Sequence, residues 1–126
     1  MGIDLGLLIL RIGIAGILCF GHGLGKLNYF SPQPVPFADP LGVGPTVSLV
    51  LTLFAEFACS FFVLVGFRTK LFAIPTILMF LVIIFRVHAH DPWHTKEFAL
   101  LYLIPFVTLA LAGAGRFSVD QFVKRR

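Results

Sequence analysis

A chain of 126 residues that is 58% hydrophobic and only 13% charged lies outside the range of soluble domains. Its net charge of +4 would point to nucleic acid in a soluble protein, but here the bases stand at the ends of apolar segments. The positive-inside bias of membrane proteins explains that placement with no nucleic-acid partner, and the length allows one all-α domain of about four membrane-crossing helices.

The first predicted span covers residues 5–27. It does not read as a secretory leader: Asp4 is acidic, Arg11 interrupts the apolar run and no A-x-A site follows. Gly21 and Gly25 make a G-x-x-x-G spacing that favours close helix contact, but the GHGLG cluster lacks the Lys-Ser/Thr ending of a phosphate loop. Arg11 and His22 are eleven residues apart, about three helical turns, and Lys26 follows His22 by one turn on nearly the same side. Such a stripe of bases is expensive in a membrane helix unless it has partners. Asn28 to Pro45 reads as a loop, because Pro32, Pro34, Pro36, Pro40 and Pro45 exclude regular helix over most of it. Eighteen residues is long for a connection in a compact bundle, and the loop forms either a lid over one end or an inert cap.

The second span, residues 46–66, carries a single carboxylate, Glu56, at its middle. An acid at that depth costs at least ~2.5 kcal/mol on insertion scales, so it is expected to face protein or water. Helical steps from Glu56 reach Ser48, Thr52, Cys59 and Ser60, the small and weakly polar residues of the segment, which form an inward seam. Phe67-Arg68-Thr69-Lys70 is a tight basic turn into the third span, residues 71–88, with Pro75 near its start and Arg86 near its end. In the His88-Ala89-His90-Asp91-Pro92-Trp93-His94 stretch, Asp91 and Pro92 read as N-cap and first residue of the fourth span. That span covers residues 92–112, with Trp93 in the interfacial belt, Tyr102 inside and Pro105 as an expected kink. A polar amphipathic tail follows Gly113-Ala114-Gly115-Arg116.

The expected architecture is an antiparallel four-helix membrane bundle with both termini cytoplasmic. Six bases (Arg68, Lys70, Arg116, Lys124, Arg125, Arg126) mark that side, against Lys26, Arg86 and Lys96 on the other. Arg11 lies within about 6 Å in depth of Glu56, which makes an Arg11–Glu56 ion pair the natural assignment. Such a pair would lock the first two helices together or take part in chemistry. No metal is expected, because Pro92 separates His90 from His94 and His88-x-His90 in a loop is permissive rather than diagnostic. Cys19 and Cys59 read as small hydrophobes, about 10 Å apart in depth and unsuited to a bridge.

Three pieces of this chain resemble the DoxX family of small membrane proteins. They are the first-span arginine followed by His22-Gly23 and Lys26-Leu27, the Ala55-Glu56 pair followed by Gly66-Phe67-Arg68-Thr69, and the closing Gly-x-Gly-Arg-Phe-Ser-x-Asp. Gly113-Ala114-Gly115 departs from the Gly-Pro-Gly expected there. The resemblance covers nearly the whole chain and implies four helices and an association with membrane redox chemistry in the bacterial inner membrane. Some relatives are the membrane subunit of a thiosulfate:quinone oxidoreductase. It hands over no catalytic residues, and no cysteine cluster or haem-attachment motif is present. A quinone would need an apolar slot with a few donors, for which His22, Lys26, Arg86, His90 and Tyr102 at the outer end are the candidates. Two classes stay open: a quinone-side subunit working with a redox partner protein, and a non-catalytic scaffold or small-solute module with a structural polar interior. A second copy of the chain stays open as a partner of either.

Overall fold

The computed structural model describes residues 2–31 and 35–124, and every regular element among them is helical. Four helices are long and apolar enough to cross a membrane: α1 (Gly2–Phe30), α2 (Pro45–Val65), α3 (Thr69–Val87) and α4 (Trp93–Ala112). A short helix, α5 (Val119–Lys124), follows. Neighbours pack α1 on α2, α2 on α3 and α3 on α4, and α4 returns to α1, closing an up-down-up-down bundle. One end carries the start of α1 and the segment after α4 and is called the terminal end; the other, beneath residues 35–44, is the loop end. Pro32 and Pro34 of the loop, and Arg125 and Arg126 of the basic count, lie outside the described residues.

The helix boundaries follow local chemistry. α1 continues past Leu27 through a 3₁₀ stretch, Leu24–Phe30, and stops just before the prolines begin. Pro45 opens α2 with its preset backbone, and Gly66 closes it in the left-handed conformation at φ +79. A side chain at Gly66 would also collide with Ser118, so the position has two reasons to be glycine. α3 begins at Thr69, earlier than expected, because a distant carboxylate caps it. Asp120 accepts the amides of Arg68 (2.7 Å) and Thr69 (3.3 Å). The expected Asp91 cap on α4 is not made. Asp91 instead accepts the Nδ1–H of His88 at 2.6 Å, and Pro92 takes the N-cap position without a side-chain bond. α4 then runs on through Pro105 to Ala112.

The helix contacts are built from small residues. Ala15, Cys19, Ser60, Ala73 and Thr76 are all fully buried, alongside Leu18, Val63, Phe106 and Leu109. Lipid tails are as apolar as leucine, so close backbone approach and interhelical hydrogen bonds must hold such a bundle together. Thr76 supplies one of these bonds, donating its hydroxyl to the Ala55 carbonyl of α2 at 2.9 Å. Ile9, Phe20, Phe85, Phe98 and Leu111 point outward, as lipid-facing positions should.

Candidate functional site

Three of the four spans contain a π-helical stretch: Ile17–Gly23 in α1, Phe54–Cys59 in α2 and Ile83–Val87 in α3. Such stretches widen the turn, free carbonyls from the regular ladder and often mark functional positions. The first two pack against each other. Cys19 Sγ reaches the Phe57 carbonyl at 3.5 Å, and the Ala55 carbonyl takes the hydroxyls of both Ser60 and Thr76. Gly23 makes the contact possible. A Cβ there would lie 3.2 Å from the Glu56 carbonyl carbon and from Cα and Cβ of Phe57, atoms that cannot swing aside. Gly23→Ala is therefore expected to push α1 off α2 and cost about 1–3 kcal/mol of overpacking. Gly25→Ala, with nothing within 4 Å, serves as its control. Equal detergent melting of the two variants would show that this contact does not limit stability.

Glu56 lies at this crossing, and its partner is Lys26. The Lys26 Nζ donates to Glu56 Oε2 at 2.8 Å, with the carboxylate side chain 6% exposed and the lysine 19% exposed. So little exposure leaves the carboxylate dependent on that ammonium. The Arg11–Glu56 pairing is thus corrected. Arg11 is buried and gives its guanidinium to three carbonyls: Leu64 (3.1 Å), Ala114 (2.6 Å) and Phe117 (2.7 Å). Those carbonyls lie at or beyond the C-terminal ends of α2 and α4, where helices leave acceptors unpaired and favour a cation. Arg11 extends toward the terminal end to reach them, while the flexible lysine stem covers the gap to Glu56 from the loop end.

The ion pair forms one wall of a cavity of about 570 Å³ between α2 and α3, beneath residues 37–41 of the loop. Leu51, Phe54, Leu78, Met79, Val82 and Ile83 make most of its lining, Phe37 and Leu41 roof it, and Ser48, Thr52 and His88 add the remaining polar groups. Asp39 pins the roof down. Its carboxylate accepts the amides of Val43 (3.0 Å) and Gly44 (2.8 Å) and the Ser48 hydroxyl (2.8 Å), and Phe37 meets Tyr29 of α1 ring to ring. The Ser48 hydroxyl first, then these backbone amides, hold the Asp39 carboxyl below its ordinary range. A lowered native pKa stabilises the roof above the unfolded carboxylate value of about 3.9, and the effect is lost as pH falls through the native one. Amide protection at Val43 and Gly44 should accordingly drop below about pH 4, and at neutral pH in Asp39→Asn. Full protection of both amides in that variant would show that something else holds the roof.

The candidate residues at the outer end are divided. Lys26 lines the cavity. His22 instead faces α4, its Nε2 2.9 Å from the Tyr102 hydroxyl, with Tyr102 stacked on Phe80. Arg86 and His90 are exposed and outside the cavity lining. His22 and Lys26 part company because the π stretch ending at Gly23 alters the turn between them, so counting at 3.6 residues per turn misplaces both. Sequence reasoning missed the roof residues, Ser48 and His88 as cavity groups. An apolar slot leaves no periodic signal, although the aspartate five residues before Gly44 was a usable turn cue. Among the described residues, no three His, Cys, Asp or Glu side chains gather as a metal site would require.

Four helices long and apolar enough to cross a membrane, packed around a part-buried ion pair and a cavity, define a small multi-pass membrane protein. A family model described as DoxX matches residues 6–89. The chain belongs to the DoxX family. The matched stretch covers α1 from residue 6, α2, α3 and every residue lining the cavity, while α4 and the closing Gly-x-Gly-Arg-Phe-Ser-x-Asp lie beyond it. No curated protein and no solved structure matches the chain.

Proposed function

We propose that this protein is the quinone-side membrane subunit of a redox complex in a bacterial inner membrane, with both termini cytoplasmic, and that the cavity beneath the loop takes the quinone. The single observation that carries the reading is the Lys26–Glu56 pair, its carboxylate buried and its lysine half-buried, set in the wall of a mostly apolar cavity of about 570 Å³. Ligand sites of this size are mostly apolar, with a few placed polar groups that fix orientation. A bound quinone takes up two electrons and two protons to become a quinol, the electrons coming from a partner protein.

The residues of the chain divide that work. The apolar walls from α2 and α3 accept a ring and its tail from the bilayer side. Lys26 has three donors, one of them used on Glu56, and can offer another to a carbonyl oxygen. Glu56 fixes the ammonium and sets its carboxylate beside that donor. Thr52 and Ser48 lie in the same wall, and His88, held by Asp91, stands near the loop end as a link to water. The free thiols Cys19 and Cys59 are buried and belong to separate helices, so they serve as packing groups here.

The test is a lipid extract of gently purified protein, assayed for quinone by chromatography. Near-stoichiometric quinone in the wild type and its loss in Met79→Trp, which fills the cavity, is the expected result. Quinone-free protein that still captures a partner would favour the scaffold alternative.

A further inference from the structure

We propose that a second cavity, at the terminal end, holds the phosphate of an anionic membrane lipid. This cavity measures about 660 Å³ and lies among the start of α3, the end of α4 and α5. Its walls contain four bases, Arg68, Lys70, Arg116 and Lys124, and two acids, Asp4 and Asp120. Both acids are engaged with backbone: Asp120 accepts the amides of Arg68 and Thr69, and Asp4 accepts the amide of Arg116 at 3.0 Å. Among the described residues, none of the four basic side chains is in an ion pair, and all four are exposed. The wall is therefore cationic, and its cations are available to a ligand. Thr69, also in the wall, has a buried hydroxyl without a hydrogen-bond partner. That is an unusual state for a buried polar atom and one that a phosphate oxygen would relieve.

Lipid is the source the geometry favours. The cavity sits where α3 and α4 end, at headgroup depth, with Leu71 and Ala112 on its rim. From that rim, exposed Leu71 and Ile74 continue along α3 as apolar side chains against which an acyl chain can lie. Beside it, α5 carries exposed Phe122 and Val123 along with Lys124, the mixture of an interfacial helix. Basic residues at a membrane surface attract anionic lipid additively, about fivefold per side chain.

Native mass spectrometry of the detergent-solubilised full chain, titrated with phosphatidylglycerol or phosphatidylcholine of identical acyl chains, tests the site. Wild type should retain phosphatidylglycerol about tenfold better or more. The double variant Lys70→Gln/Arg116→Gln should lose roughly that preference while melting like wild type in phosphatidylcholine. Equal retention of the two lipids by wild type, or an undiminished preference in the variant, would overturn the proposal. Millimolar inorganic phosphate should leave the lipid bound, and displacement by it would overturn the assignment to lipid.

Discussion

Replacing Arg11 by methionine should lower the stability of the bundle by at least ~3 kcal/mol. Its guanidinium joins the carbonyl of Leu64 in α2 to those of Ala114 and Phe117 in the segment after α4, so one residue of α1 ties down two other parts of the chain. Removal leaves three acceptors without a donor, each costing ~1–3 kcal/mol where water cannot replace it. Arg11→Lys should recover only part of the loss, because one ammonium cannot present donors across the spread that the planar fork covers. Melting in detergent reads the stability, and trypsin cleavage at the exposed Arg116 and Lys124 reads loosening of the terminal end. An unchanged melt in Arg11→Met would show that those carbonyls find other donors. The Arg11 and Glu56 substitutions should be additive, since they share no partner.

The second large effect belongs to the loop end. Lys26→Met strands Glu56, whose side chain is 6% exposed, and a buried charge that loses its partner costs ~3–5 kcal/mol. Glu56→Gln should cost less, because the lysine is 19% exposed and its long stem can carry the ammonium toward water. The double variant Lys26→Met/Glu56→Gln should be close to wild type in stability, giving a strongly favourable coupling in a double-mutant cycle. Quinone retention should fall in all three variants, so stability and binding separate most clearly in the double variant. A cycle with no coupling would mean that the 2.8 Å contact contributes nothing.

Much of this architecture was legible in the residues. The four spans follow from apolar length, and Gly66, Pro45 and the basic turn place their limits within a few residues. Glu56 announced itself as a buried acid, and of its seam Ser48, Cys59 and Ser60 are buried while Thr52 is half-buried in the cavity wall. Its partner was not legible. A depth counted at ~1.5 Å per residue holds only for an unbroken α-helix, whereas Ile17–Gly23 is π-helical and Leu24–Phe30 is 3₁₀. Nor could sequence spacing show that helix ends from two other segments would offer Arg11 three carbonyls. Asp120 as the cap of α3 is hidden for the same reason, being some fifty residues away along the chain. The cavity depends on where α2 and α3 diverge beneath the loop, a property of packing that no single stretch of sequence encodes.

Photolabelling decides most directly whether the cavity beneath the loop is the quinone site. A short-chain quinone carrying an azide on its ring would be irradiated with the full-length protein in bilayer nanodiscs and the adducts mapped by peptide mass spectrometry. Adducts on Phe54, Met79 and Val82, abolished in Lys26→Met/Glu56→Gln and competed by unlabelled quinone, are the predicted result. Labelling confined to the His22–Tyr102 flank or to Arg86 and His90, and unaffected by that variant, would contradict it.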